Sequence, residues 1–122
     1  MTGDLARLQG RWKVASLEIG GAKMPAAMFP NAVVSVTGDL FESSGMGAIY
    51  RGKLALSEAS GAKVFSLTFD AGPEQGRVNH ACYALDGDLW TICIDTKGGP
   101  PPPAFATSAA KGYALETLER SG

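Results

Sequence analysis

No apolar run in the sequence approaches the roughly 18 residues that a membrane-spanning helix needs. There are only two cysteines, Cys82 and Cys93, and a single histidine, His80. Two cysteines cannot hold a metal alone, and they do not make a disulfide framework. Neither sign of charge is in excess, because 11 basic and 12 acidic residues leave a net charge of -1. Neither kind forms a block in the sequence. These absences predict no membrane span, no metal, no cofactor and no nucleic-acid partner.

Turn-forming residues are abundant instead. The 122 residues include 16 glycines and 7 prolines, which in a chain long enough for one domain, residues 1–122, favours many short strands over a few helices. Only the beginning is helical in pattern, since Asp4 can cap a short turn that ends at Gly10. The first residues carry neither a basic region nor an apolar one, so we expect a soluble, cytoplasmic protein; a signal removed from the chain is the alternative.

Eight stretches rich in β-branched and aromatic residues follow, and each is bounded by turn residues. They cover residues 11–19, 32–37, 40–44, 48–56, 64–69, 78–85, 89–95 and 113–120. A single helical turn at residues 24–29 is predicted between the first two, because one proline suits its start and another its end.

The hairpin between the sixth and seventh strands has the strongest local signal. Asp86-Gly87 suits a tight turn, and pairing Leu85 with Trp90 brings the bulky residues to one face. The same register sets Cys82 opposite Cys93 on the other, outer face, at a distance that a disulfide could span. We expect reduced thiols, with a bridge as the alternative.

The first strand breaks its own alternation. Trp12 and Val14 share one parity, whereas Leu17 and Ile19 have the other. A bulge or bend near Ala15-Ser16 would turn both halves towards the core, as happens where one strand serves two sides of a barrel. The sequence therefore predicts an all-β fold, a closed barrel of eight antiparallel strands that leaves no sheet edge exposed.

A family resemblance supports this fold. Residues 8–14, LQGRWKV, resemble the Gly-x-Trp start of lipocalins. The whole chain is similar to uncharacterised bacterial domains best represented in planctomycetes. The landmarks of that similarity, in order, are residues 5–12, 67–76, 83–88 and 92–93, a proline-rich segment ending in Phe105, and a last strand closing on Arg120. The resemblance implies a small lipocalin-like, calycin-type barrel and carries no established biochemical role.

The same resemblance implies how one barrel end closes. In lipocalins a basic residue late in the chain packs over the tryptophan of the first strand. Here Arg120 has that place, over Trp12, and Gly10 opens the strand. This role is structural.

Candidate ligand-binding residues are the large aromatic side chains expected inside the barrel: Tyr50, Phe65, Phe69, Tyr83 and Trp90. An eight-stranded barrel either fills with such side chains or holds one small ligand. A cavity of roughly 300 Å³ or more with one or two polar groups would favour a ligand, and a filled interior would oppose it.

Catalytic chemistry has little support. His80 lies on the outer parity and has no obvious partner for acid–base work, so no catalytic residue is predicted. The run of prolines at residues 100–103 is interpreted as a stiff crossover to the last strand; a partner-docking rod or a gate over the barrel mouth are the alternatives.

Three functions remain in order of preference. The first is a non-enzymatic domain that binds a small apolar or amphipathic molecule in the barrel. The second is a filled barrel acting as a protein–protein interaction or structural module. The third is an enzyme of unknown type, for which the sequence offers no catalytic constellation. Oligomeric state does not follow from the sequence.

Overall fold

The computed structural model describes residues 3–59 and 61–121; residues 1, 2, 60 and 122 lie outside the described part. A short helix, α1 (Gly3–Arg7), comes first. The strands that follow are β1 (Gly10–Ile19), β2 (Ala22–Met24), β3 (Val33–Thr37), β4 (Leu40–Ser44), β5 (Tyr50–Ala59), β6 (Ala62–Ala71), β7 (Val78–Asp86), β8 (Leu89–Asp95) and β9 (Tyr113–Arg120). A 3₁₀ helix, Ala26–Met28, lies between β2 and β3. Neither of these described helices is long and apolar enough to cross a membrane.

Eight of the strands close into an antiparallel barrel. The sheet runs β2-β1-β3-β4-β5-β6-β7-β8-β9, and a further pairing between β1 and β9 completes the circle. The predicted eight-stranded barrel with a short N-terminal helix is thereby confirmed. Strand β2 was not predicted; it pairs with the second half of β1 outside the circle. Gly20 and Gly21, with φ of 58° and 85°, form the turn that folds it back.

The predicted irregularity in β1 is present. Its register against β9 shifts between Val14 and Ser16. Because of this shift Trp12 and Leu17, which differ in parity, both reach the core. The expectation that Ile19 also faces the core was wrong: it is 46% exposed. Ile19 ends β1 beside the two-glycine turn, where the β1–β2 hairpin leaves the barrel wall.

The β7–β8 hairpin has the predicted register, with Leu85 opposite Trp90 and Cys82 opposite Cys93. Both cysteines lie on the outer face and are free thiols. They are nevertheless buried, because the proline-rich segment, residues 100–111, covers them. Pro102 is itself buried. This segment is a crossover packed along the barrel wall.

Polar contacts from the barrel wall hold the proline-rich segment in place. The thiol of Cys93 donates to Ala106 O at 3.7 Å, and that of Cys82 lies 4.0 Å from Ala104 O. Thr107 accepts a hydrogen bond from the Gly21 amide at 2.9 Å and donates to the carboxylate of Glu18. Burial raises the pKa of both thiols, which keeps them protonated and unreactive near neutral pH.

Arg120 and Trp12 meet where the barrel closes. They are register partners, and the guanidinium carbon lies 4.3 Å from the centre of the indole ring. The guanidinium also donates to Gln9 O at 2.8 Å and to Arg7 O, while Trp12 Nε1 donates to Leu8 O at 2.9 Å. One side chain therefore ties the last strand to the end of α1 and to the start of β1. We call this the closed end.

Helix α1 is anchored across the closed end by Asp4. Its carboxylate accepts hydrogen bonds from Lys63 Nζ and from the hydroxyl of Tyr83, each at 2.9 Å. The bond from Lys63 lowers the pKa of Asp4, since it favours the charged carboxylate. The helix is thus fixed to β6 and β7 by polar contacts, and its Leu5, which is only partly buried, packs against the core.

Aromatic rings fill the closed half of the barrel. Trp90 is at their centre, with ring centroids 5.5 Å from Trp12, 6.4 Å from Phe41 and 6.3 Å from Phe65. Phe65 in turn lies 5.8 Å from Tyr83. Trp12 and Trp90 are fully buried. This half of the interior is a packed core.

We predict that Arg120→Met lowers the free energy of unfolding by about 2–4 kcal/mol, because it removes the contact with the Trp12 ring, two hydrogen bonds to backbone carbonyls and the ion pair with Asp88. Urea denaturation at equilibrium measures this loss. Arg51→Met is the matched control: Arg51 forms an ion pair with Asp70 in which both side chains are well exposed, so about 1 kcal/mol or less should be lost. Equal losses in the two variants would contradict the closing role of Arg120.

Candidate functional site

A cavity of about 200 Å³ occupies the other half of the barrel. The hairpins β3–β4, β5–β6 and β7–β8 turn at the closed end, so the connections at residues 45–49, 72–77 and 96–112 lie at the opposite, open end. Met46 and Glu74 come from two of these connections and line the cavity. The cavity therefore lies towards the open end, above the aromatic core.

The cavity wall is mostly apolar. Its lining residues are Phe41, Ser43, Met46, Tyr50, Phe65, Leu67, Phe69, Glu74, Asn79, Ile92, Ile94, Thr96, Ala114 and Glu116. Three of the predicted ligand-binding residues, Tyr50, Phe65 and Phe69, belong to it. Tyr50 and Phe69 pack edge to face, with ring centroids 6.4 Å apart.

The other two predicted residues lie elsewhere in the barrel. Trp90 belongs to the packed aromatic core, and Tyr83 points to the closed end, where its hydroxyl bonds Asp4. Neither lines this cavity. The Trp90 Nε1 atom is buried and has no hydrogen-bond acceptor among the described residues.

Two close backbone contacts hold the connections around the open end. At Gly45, φ is 89° and a side chain would collide with the carbonyl oxygen of Asn31; at Gly72, also at 89°, it would collide with that of Ile49. Only glycine fits both the positive φ and the close approach. The rim of the cavity is therefore built from loops packed directly on one another.

Two acids among the described residues line the cavity, and Glu116 is the one that lies on a barrel strand, whereas Glu74 belongs to a connection. Glu116 lies on β9 between the inward-facing Ala114 and Leu118, and its register partners on the adjacent strands are Ile92 and Leu17. Within the described residues the Glu116 carboxyl has no hydrogen-bond donor and no cationic partner, so nothing in the described part of the chain compensates the loss of water around it.

This desolvation changes the acidity of Glu116. Burial raises the pKa of Glu116 from 4.5 to about 7. Glu116 keeps some accessible surface, and it lines the cavity. At neutral pH the Glu116 carboxyl is therefore divided between its neutral and its charged form.

Among the other polar side chains that line the cavity, Ser43 and Asn79 are buried, each 5% exposed. Sequence reasoning missed these residues and Glu116. A signal was available for Glu116: in β9 it has the same parity as Ala114 and Leu118, so an inward-facing strand would carry one acid among apolar residues. Nothing in the sequence marks Ser43 or Asn79.

His80 takes no part in this site. It lies on the outer parity of β7, opposite Ser66 and Asp95, and does not line the cavity. In the described ranges, 3–59 and 61–121, no three His, Cys, Asp or Glu side chains lie close enough together to hold a metal ion. The proline-rich segment is likewise absent from the cavity wall as described.

Comparison with known proteins does not assign this chain to a family. No family model, no curated protein and no solved structure matches it significantly. The resemblance to the planctomycete domains therefore stays a prediction, and the cavity is the feature from which a function can be inferred.

We predict that Glu116→Gln stabilises the protein by about 2–3 kcal/mol at pH 8 and by much less at pH 5. In the folded protein the Glu116 carboxyl keeps its proton up to about pH 7, whereas in the unfolded chain it releases that proton near pH 4.5. Wild-type stability should therefore fall as the pH rises between these values, and Gln removes that loss.

Urea denaturation of both proteins from pH 5 to pH 8 measures the difference. Glu119→Gln is the matched control, because Glu119 is an exposed acid on the same strand and its removal should change stability by less than about 0.5 kcal/mol at either pH. A pH-independent difference between wild type and Glu116→Gln would show that the carboxyl is not desolvated.

Proposed function

We propose that the protein is a non-enzymatic, lipocalin-like binding domain that holds one small apolar or amphipathic molecule in the open half of its barrel. The observation that carries this proposal is the cavity of about 200 Å³ between aromatic and aliphatic walls, with a few polar groups among them. Such a combination of apolar lining and few polar groups is typical of small-molecule sites.

The volume limits the ligand. It is below the roughly 300 Å³ that was expected of a ligand cavity from the sequence, which is also where drug-sized pockets begin. An apolar cavity of about 150 Å³ is enough to hold benzene, so about 200 Å³ suits a single ring with a short substituent. The ligand is therefore smaller than the extended molecules that roomy lipocalin cups accept.

The packed closed half supports the same function. Phe41 and Phe65 contact Trp90 on one side and line the cavity on the other, so they form its floor. Because Trp90 also packs on the fully buried Trp12, this floor cannot move without disturbing the core. A preformed site avoids part of the ordering cost of binding.

We predict that toluene and benzyl alcohol bind wild-type protein with dissociation constants below about 1 mM. Ala114→Leu, which places a larger side chain on the cavity wall, should weaken both at least tenfold. Chemical-shift titration by NMR measures binding and shows at once whether the variant is folded.

Ala55→Leu is the matched control, because Ala55 is an exposed alanine in β5 outside the cavity wall. It should bind both probes as wild type does. Undetectable binding of every probe by the folded wild-type protein would overturn the proposed function. Unchanged binding by Ala114→Leu would place the probes outside this cavity and would overturn it equally.

A further inference from the structure

The cavity holds a carboxyl group that the barrel itself does not use. Glu116 makes no hydrogen bond or ion pair within the described part of the chain, whereas Asp4, the acid that anchors α1 at the closed end, has two partners at 2.9 Å. The strand neighbours of Glu116, Ile92 and Leu17, show that an apolar side chain suits this layer. A carboxyl that lowers the stability of the fold and makes no structural contact is available to bind a ligand.

The charge of the cavity lining determines which charge a ligand can carry. No lysine, arginine or histidine lines the cavity among the described residues. The groups that can titrate there are Tyr50 from β5, Glu74 from the β6–β7 connection, and Glu116 itself. A carboxylate or phosphate on the ligand would meet only like charge, whereas a cationic group would meet an unpaired carboxylate at low dielectric.

The walls select the rest of the ligand. The edge-to-face pair of Tyr50 and Phe69 presents aromatic surface to the cavity, and Phe41 and Phe65 form its floor. Aromatic faces attract both flat apolar rings and cations. The volume of about 200 Å³ leaves room for one ring and a short side chain.

We propose that the ligand is a small aromatic amine, a single ring carrying a protonated amino group on a short chain, and that Glu116 is the residue that binds the ammonium group. This inference rests on the proposed function, since it names the ligand class of the same cavity. The buried hydroxyl of Ser43 and the amide of Asn79 add acceptors that line the same cavity.

Binding should then be linked to pH. Because burial raises the pKa of Glu116 to about 7, a cation binds only the fraction of protein whose carboxyl has lost its proton. That fraction is about one tenth at pH 6 and about nine tenths at pH 8. Affinity for the amine should therefore rise about tenfold from pH 6 to pH 8, while a neutral ligand of the same shape shows no such change.

The test compares benzylamine with benzyl alcohol, which has the same ring and chain but no charge. Titrations followed by NMR at pH 6 and pH 8 use wild type, Glu116→Gln and the outward-facing Glu119→Gln. For wild type at pH 8 we expect benzylamine to bind at least tenfold more tightly than benzyl alcohol. Glu116→Gln should lose that preference and its pH dependence, yet bind benzyl alcohol within about twofold of wild type. Glu119→Gln should match wild type throughout.

The outcomes separate the two proposals. The amine inference is overturned, and the binding function stands, if benzyl alcohol binds in the cavity but benzylamine binds no better at pH 8. The same holds if Glu116→Gln still prefers benzylamine to benzyl alcohol. If neither probe binds the folded wild-type protein, the binding function falls and the inference falls with it. Loss of both probes in a folded Glu116→Gln variant would mean that Glu116 shapes the cavity, which also overturns the inference.

Discussion

The β1–β9 ladder joins the two ends of the chain, and Arg120 covers the Trp12 ring where that ladder reaches the closed end. Every other barrel strand pairs with its neighbour in sequence, apart from the step from β1 to β3 around the small β2 hairpin. The closing pair alone decides whether the sheet is a barrel with an interior or an open sheet with two edges. The aromatic core and the cavity both exist because this pair forms.

The sequence specified the fold through patterns that depend on neighbours along the chain. Alternation located the strands, Asp86-Gly87 set the register of one hairpin, and the parity change after Val14 marked the bulge that the closed sheet needs. What sequence patterns could not give depends on distant packing. Strand β2 is only three residues long, and the burial of Cys82 and Cys93 results from a crossover that local alternation does not describe.

The site was less predictable because an inward-facing parity does not say how deep a side chain lies. Tyr83 and Trp90 face inward as expected, but they belong to the packed half, whereas Phe69 faces the hollow half. Depth follows from strand stagger around the barrel, which is a property of the closed sheet. The burial of Glu116 was not predicted for another reason. Acids in strands are usually exposed, and only the placement of β9 beside β1 and β8 turns the Glu116 side chain into the barrel.

The bonds from Arg120 to the residues before β1 also bear on how the protein folds. Arg120 and Gln9 are 111 residues apart, and Ser121 N donates to Arg11 O at 2.9 Å just beyond them. Contacts of such high sequence separation make folding slow, since the entropy of closing a long loop is lost before the contact forms. During synthesis β1 cannot pair with β9 until β9 has left the ribosome. Until then the β1 edge is open to pairing with other chains.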